Sequence, residues 1–230
     1  MAIYIFFPLI IPLNGHYTAI GNDFIYLYYN YKVYLLDCLS HFRIPLWSPS
    51  EAVGYPFYSN PFTQSFYPLN IPLAIYYKLT GGSTPLEHQY FTVLGVSIFS
   101  LGLFYWLKSL KLNVSAILFA TLVMSVSFKI IEILRFPNAI HTAAWYPWIL
   151  FSLTKSLQNS CYLKKIIKYN ILLIFFIICF FTGGYPYYIY YSIFLFIPYF
   201  LTFFIPSVRK IYFVNTVNWK NFFLRFSLPS

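Results

Sequence analysis

Residues 166–205 read IIKYNILLIFFIICFFTGGYPYYIYYSIFLFIPYFLTFFI, two apolar runs on either side of a Gly-Gly-Tyr-Pro segment. A helix of roughly 20 apolar residues crosses the hydrocarbon core of a bilayer, and about 17 residues suffice at the short end of the range. Glycine and proline are the residues that a tight turn favours. The stretch therefore predicts two membrane-spanning helices, 166–182 and 187–205, joined by an external turn.

The composition of the whole chain also indicates a membrane protein. Hydrophobic residues make up 60% of the sequence and charged residues 9%, whereas a soluble domain carries about 25% charged residues. The apolar residues come in blocks and do not alternate with polar ones, which argues against a soluble β-rich protein. The net charge is +10, but the bases lie between the apolar blocks and form no single patch, so nucleic acid is not an expected partner.

The predicted fold class is an all-α, polytopic transmembrane helical bundle in which residues 1–230 form a single membrane domain. Its spanning helices are expected at 2–13, 88–107, 114–128, 140–154, 166–182 and 187–205. The first of these is short and has no basic region before it, so it resembles the end of a spanning helix more than a signal peptide.

Lysine and arginine set the expected orientation. If the N-terminus is cytoplasmic, the cytoplasmic side holds ten bases and no acid, and the opposite side holds five bases and all five acids. This asymmetry follows the positive-inside rule. The cytoplasmic bases are Lys108, Lys111, Lys155, Lys164, Lys165, Lys168, Arg209, Lys210, Lys220 and Arg225.

One alternative makes residues 61–79 a further crossing. That topology would place the basic clusters outside, and it would put three prolines into a spanning helix, where each removes a backbone hydrogen bond. Residues 61–79 are therefore expected to be interfacial or re-entrant, and residues 14–87 to form one long external loop.

The first part of this loop predicts an amphipathic helix over residues 24–43, lying along the outer membrane surface. Pro45 ends the pattern. The apolar residues that recur at helical spacing are Phe24, Leu27, Tyr28, Tyr31, Leu35, Cys38, Leu39 and Phe42.

Three places in the sequence could carry chemistry, and each also has a plain structural interpretation. Asp23 could cap the amphipathic helix, or act as a general base or metal ligand at the membrane edge. His41 and Arg43 could belong to an interfacial belt, or could bind phosphate, since an Arg guanidinium matches phosphate oxygens. Arg135 and His141 lie at the external end of the third and fourth crossings.

Near Arg135, the plain interpretation is an ion pair with Glu132, three residues earlier on the same helix. Lys129 is expected to have no special role.

Five short segments, in this order, resemble the bacterial YfhO-like membrane proteins, which belong to the GT-C class of glycosyltransferases. They are residues 44–49 (IPLWSP), 54–56 (GYP), 66–70 (FYPLN), 143–147 (AAWYP) and 182–186 (TGGYP). The resemblance covers most of residues 14–190. Members of that family are generally longer, so the chain is expected to correspond to the N-terminal part of such an enzyme, or to be an inactive fragment.

The resemblance implies an enzyme of the bacterial cell membrane that moves a sugar from a polyprenyl-phosphate donor to an extracytoplasmic glycan or lipid acceptor. Asp23 matches the acidic residue of the first external loop and is therefore the implied catalytic residue. The candidates for substrate binding are His41, Arg43, Arg135 and His141. Whether Asp23 also binds a divalent metal ion stays open. The alternative is a non-catalytic multi-pass membrane protein, such as a transporter or a lipid-handling subunit.

The orientation predicts the outcome of cysteine labelling. In a variant without native cysteines, Glu51→Cys should react with a membrane-impermeant maleimide added to intact cells, because the external loop carries it. Lys164→Cys should react only after the membrane is permeabilised. Reaction of both positions from outside would contradict the orientation, and with it an external active site.

Overall fold

The computed structural model of the chain describes residues 20–49, 53–159, 162–208 and 211–212. This part of the chain is all-helical and holds no strand, and one isolated bridge pairs Ser48 with Tyr55. The predicted spanning helix at 2–13 lies outside the described residues. The predicted all-α class is confirmed for the described part.

Residues 20–49 and 53–80 belong to the predicted external loop, and we call them the external segment. They contain a π-helix, Phe24–Tyr29, which continues directly into helix α1, Asn30–Ser40. The predicted helix over 24–43 is thus confirmed to residue 40. Two short 3-10 turns follow, at Phe57–Ser59 and Pro61–Thr63. The later helices are α2 (Asn70–Thr80), α3 (Pro85–Ser109), α4 (Val114–Ser125), α5 (Phe128–Ile133), α6 (Pro137–Ala143), α7 (Tyr146–Gln158), α8 (Leu163–Thr182), α9 (Pro186–Thr202) and α10 (Pro206–Val208).

Two of the described helices, α3 and α8, are long and apolar enough to cross a membrane. They have 25 and 20 residues. Helix α9 has 17 residues and contains Pro198. Helix α4 has 12 residues and is roughly 18 Å long at 1.5 Å per residue, short of a hydrocarbon core of about 30 Å. The six-crossing topology therefore remains a prediction.

The predicted span at 140–154 is divided between α6 and α7. The break falls at Ala144 and Trp145. Pro147 has no N–H to donate to the carbonyl four residues earlier, that of Ala143, so a continuous helical ladder cannot pass this point. A hydrophobicity pattern registers the apolar residues on both sides but not this interruption.

Helix α7 packs between α3 and α8 and forms the centre of the described structure. The contact with α3 is close, because a Cβ added to Gly102 would lie 2.6 Å from Cδ1 of Trp148. The Trp148 indole N–H donates to the Ile98 carbonyl at 2.8 Å. The buried residues of the main apolar core are Tyr67, Phe91, Ala144, Trp145, Ile149, Phe176, Cys179 and Phe180.

The external segment forms a layer beside this core. Helix α1 packs on α2, and the π-helix packs on α3. The connection between α1 and α2 folds back on itself through the Ser48–Tyr55 bridge. Gly54 allows this turn, since its φ is +101° and a Cβ there would lie 2.5 Å from the Trp47 indole nitrogen. Two of the segments that carry the family resemblance, 44–49 and 54–56, are therefore the two sides of one turn.

The outer surface of α8 is apolar. Only 17% of its most apolar 18-residue window is buried, against 44% for the corresponding window of α3. Large hydrophobic side chains of α8 that are exposed are Ile167, Ile171, Ile174, Phe175, Ile178 and Phe181. In water, such an exposed apolar surface would favour association with another apolar surface.

The turn between α8 and α9 predicts a clear effect of substitution. Gly184 has a φ of +89°, and a Cβ there would collide with the Pro61 carbonyl oxygen. Gly184→Ala should therefore destabilise the protein by roughly 1–3 kcal/mol or more, measured as thermal unfolding of the purified protein in mild detergent. Gly82→Ala is the control, because a Cβ at Gly82 meets open space. Equal unfolding midpoints for the two variants would contradict this account of the turn.

Candidate functional site

Asp23, the predicted catalytic residue, immediately precedes the π-helix and is exposed. Its side chain makes no capping hydrogen bond to that helix, so the plain capping interpretation has no support in the geometry. The next residue, Phe24, is 0% exposed and anchors the start of the helix in the core. Helical turns of the π type are rare and occur frequently at functional sites. Asp23 is thus an exposed carboxylate on a firmly held turn.

Tyr28, Phe136 and Tyr185 form a group of three aromatic side chains, which we call the aromatic cluster, and the Asp23 carboxylate acts electrostatically on Tyr28. Tyr28 meets Phe136 edge to face, with ring centroids 6.1 Å apart, and Phe136 lies 6.4 Å from Tyr185. Burial, and then the neighbouring Tyr185 and Asp23, raise the pKa of Tyr28 to about 12. The Tyr28 phenol therefore stays protonated at neutral pH, and its hydroxyl can donate.

Arg135, one of the predicted substrate-binding cations, borders the same cluster. Its Cζ lies 4.8 Å from the centroid of the Phe136 ring, and the residue is exposed. The expected pair with Glu132 is not formed, because Glu132 pairs with Lys129 at 3.0 Å. Arg135 has no carboxylate partner within the described residues, so its guanidinium is available to an anion.

His41 and Arg43 lie elsewhere, beyond the opposite end of α1. Arg43 Nη2 lies 3.4 Å from Asp37 Oδ2, and His41 Nδ1 lies 3.6 Å from Asp37 Oδ1. The 17 residues from the start of the π-helix to the end of α1 span roughly 25 Å. These two residues therefore do not share one site with Asp23, and both already have the Asp37 carboxylate as a neighbour.

His141 is inside the protein, at 0% exposure. Its Nε2 is 2.9 Å from the Phe91 carbonyl, which can only accept, so Nε2 carries the proton. Nδ1 then accepts from the Tyr67 hydroxyl at 3.1 Å, and that hydroxyl oxygen accepts from the Trp145 indole N–H at 3.0 Å. His141 thus belongs to a buried hydrogen-bond chain, where a substrate cannot reach it in this structure.

Lys32 is the unexpected residue of the external layer. It is 5% exposed, and its ammonium donates to Gln64 Oε1 and Asn70 Oδ1, both at 2.8 Å. The same ammonium lies 4.9 Å from the centroid of the Phe91 ring. It has no carboxylate partner among the residues that the structure describes. We call Lys32, Gln64 and Asn70 the Lys32 network.

The Lys32 network reaches the turn between α8 and α9. Gln64 adopts a left-handed conformation with φ 55°, and its amide N–H donates to the Gly183 carbonyl at 2.7 Å. Asn138 donates to the Gly184 carbonyl at 2.9 Å. Asn70 in turn donates to the backbone carbonyl of Gln64 at 2.6 Å. The external segment is therefore tied to this turn by buried amide side chains.

One feature of the sequence indicates that Lys32 is buried, and the prediction from helical spacing did not include it. Lys32 follows Phe24 by eight residues and Tyr28 by four, so it falls on the face that helical spacing assigns to the core. A lysine on such a face needs partners inside the protein. Gln64 and Asn70 give no comparable signal, because they are brought to Lys32 by the tertiary fold.

No group of three or more His, Cys, Asp or Glu within the described part of the chain could hold a metal ion. The structure therefore offers Asp23 no companion ligands there. Comparison of the chain with protein-family models, with curated proteins and with solved structures gives no match.

The buried ammonium predicts how stability depends on pH. Burial lowers the pKa of Lys32 from 10.5 to about 7. Between these pH values the unfolded chain holds more protons than the folded chain, so raising the pH favours the folded state, by up to about 1.4 kcal/mol per pH unit. Below about pH 7 this contribution no longer changes.

The matched comparison is Lys32→Met against Lys129→Met, since Lys129 is exposed in its ion pair with Glu132. Thermal unfolding between pH 7 and 10 should show a rising midpoint for the wild type and for Lys129→Met. The rise should be smaller for Lys32→Met. A rise of the same size in all three proteins would mean that Lys32 is not the group responsible.

Proposed function

We propose that the chain is a multi-pass membrane glycosyltransferase of the GT-C class, or the N-terminal part of one, with Asp23 as its general base. The observation that carries the proposal is the aromatic cluster with its two charged neighbours. The exposed carboxylate of Asp23 acts electrostatically on Tyr28, and the Arg135 guanidinium, which has no carboxylate partner among the described residues, lies against Phe136. Phe136 and Tyr185 are partly exposed. Carbohydrates bind on exposed aromatic rings through their apolar faces, and charged groups beside the rings can act on the bond that breaks.

The proposed reaction needs only these groups. The oxygen of an acceptor hydroxyl forms a bond to the anomeric carbon of the sugar, and Asp23 takes the proton of that hydroxyl. The bond between the anomeric carbon and the phosphate oxygen breaks, and its electron pair leaves on the lipid phosphate. Arg135 stabilises the charge on this phosphate, as a guanidinium pairs with two phosphate oxygens.

The exposed surface of the external layer supports a position against a membrane. Apolar side chains beyond α1 and along α2 are open to their surroundings: Phe42, Ile44, Ile71, Ile75 and Leu79. Arg43 and Lys78 lie among them and line a cavity of ≈ 440 Å³ with several of these residues. An apolar surface with a few cations suits the lipid–water interface of an anionic bilayer. We assign His41 and Arg43 to this interface, which leaves Arg135 as the cation for the leaving phosphate.

The alternative function, transport or lipid handling without catalysis, has its own supporting observation. Lys32, His88 and His141 are all buried near the start of α3, and buried ionisable residues in membrane proteins often mark a path for a substrate or a proton. The alternative does not require the carboxylate of Asp23. Substitution of Asp23 therefore separates the two functions.

Asp23→Asn should abolish sugar transfer and leave the fold intact. The substitution keeps the shape of the side chain and removes its negative charge and its basicity. Because a positioned general base contributes typically about 10²–10⁴-fold to a rate, the loss should be of that order. The assay measures release of lipid phosphate from polyprenyl-phosphate hexoses, by the purified protein in vesicles with an extract of membrane glycans and lipids as acceptors.

Asp37→Asn is the matched control, because Asp37 is also exposed but pairs only with His41 and Arg43 at the far end of α1. Loss of such a surface ion pair costs at most about 1 kcal/mol of stability, and the transfer rate should stay at the wild-type value. Equal losses at the two positions, or an unchanged rate with Asn at 23, would exclude Asp23 as the base. Failure of the wild type to release lipid phosphate from any donor would exclude the proposed function itself.

A further inference from the structure

A cavity of ≈ 530 Å³ lies between the external layer and the start of α3. Its lining includes Lys32 from α1 and both Glu87 and His88 from α3. This volume is within the range of ligand-binding pockets, roughly 300–1,000 Å³. Neither the proposed transfer reaction nor the aromatic cluster uses any of these three residues.

The Lys32 ammonium in the cavity wall has no carboxylate partner among the described residues. Buried charges in proteins are normally paired, yet the partners of the Lys32 ammonium are two neutral amide oxygens. These account for two of its three N–H donors. Burial lowers the pKa of this ammonium. An anion in the cavity would supply both the missing charge and the third acceptor.

His88 adds a second unsatisfied group. It is 3% exposed, and neither of its ring nitrogens has a hydrogen-bond partner among the described residues. Its ring packs against Phe24, with centroids 4.7 Å apart. Unpaired polar atoms in a protein interior are costly, and a ligand with an acceptor group beside Lys32 would give this imidazole a partner.

The rest of the lining is largely apolar and leads toward the outer face of α3. Leu36 and Leu73 form part of one wall, and Leu94 lies on the other. From Tyr90 and Leu94 in the lining, the exposed apolar residues of α3 continue at helical spacing to Leu101 and Tyr105. A chain that leaves the cavity can therefore continue along an apolar stripe of a helix long enough to cross a membrane.

We propose that this cavity binds a long-chain carboxylate, with the carboxylate at Lys32 and His88 and the hydrocarbon chain along the apolar stripe of α3. The charge balance favours a small monoanion. Among the described lining residues Lys32 is the single cation. Glu87 lies nearby as part of the capping box of α3, where its oxygens accept from the Thr84 N–H and the Tyr76 hydroxyl at 2.6 Å. A second negative charge on the head group would face this carboxylate. The proposal does not depend on the transfer reaction.

The test uses oleate labelled with ¹³C at the carboxyl carbon and the purified full chain in nanodiscs of zwitterionic lipid. The wild type should give a separate, saturable carboxylate resonance of bound oleate. Lys32→Met should bind oleate about 10- to 100-fold more weakly, as expected when a hydrogen bond to a charged group is lost. Lys129→Met is the matched control and should bind as the wild type does.

Two further comparisons guard against misfolding and non-specific binding. Leu94→Trp keeps Lys32 and changes a residue that is 47% exposed, so it should fold normally and still weaken binding by narrowing the cavity. Labelled acetate should not bind, and unlabelled oleyl alcohol should not displace oleate. Binding that is equal in Lys32→Met and Lys129→Met, unaffected by Leu94→Trp, or displaced by the alcohol as well as by oleate would overturn the proposal. Since the measurement is binding alone, its outcome is separate from that of the transfer assay.

Discussion

The packing of the external layer on the core depends on the hydrogen bonds of one buried ammonium, that of Lys32. Lys32 is placed in the interior by the same helical face that buries Phe24 and Leu35, and its solvation in water has to be replaced there by Gln64 and Asn70. Gln64 bonds to Lys32 from a left-handed backbone, and its amide N–H donates to the Gly183 carbonyl. The Lys32 side chain and its partners thus connect α1, the 61–70 segment and the α8–α9 turn.

Three of the short segments on which the family resemblance rests contain buried residues that bond to other parts of the fold. Tyr67 and Asn70 belong to segment 66–70, Trp145 belongs to segment 143–147, and Gly183 belongs to segment 182–186. Tyr67 joins His141 to Trp145 through its hydroxyl, and Asn70 holds Lys32. These residues mainly hold the external layer on the core, and none of the four is exposed in the way that Asp23 is.

Much of the architecture could be predicted from the sequence because it follows from local properties. Apolar length predicted α3 and α8, helical spacing predicted the helix that ends at Ser40, and a glycine-proline signal predicted the α8–α9 turn. The predicted span 140–154 is divided into two helices because Pro147 lacks an N–H. A hydrophobicity pattern does not detect the loss of a single backbone donor. The candidate site was predictable only in part. Asp23 and Arg135 come to one aromatic cluster by the tertiary fold, and His141 could not be recognised as buried, because its partners Tyr67 and Phe91 are far from it in sequence.

The separation of exposed from buried ionisable groups has a consequence for how the protein can work. A charged group that acts on a substrate should keep its hydration until the substrate binds. The Lys32 ammonium, in contrast, loses its hydration when the chain folds. A reactive carboxylate is most useful on a support that does not move, since a small displacement from the reactive geometry costs much of the rate. Phe24, the residue after Asp23, is fully buried against His88 and anchors the start of the π-helix. Asp23 is therefore an exposed carboxylate beside a buried anchor, and this is the physical reason to look for chemistry at Asp23 rather than at the buried residues Lys32 and His141.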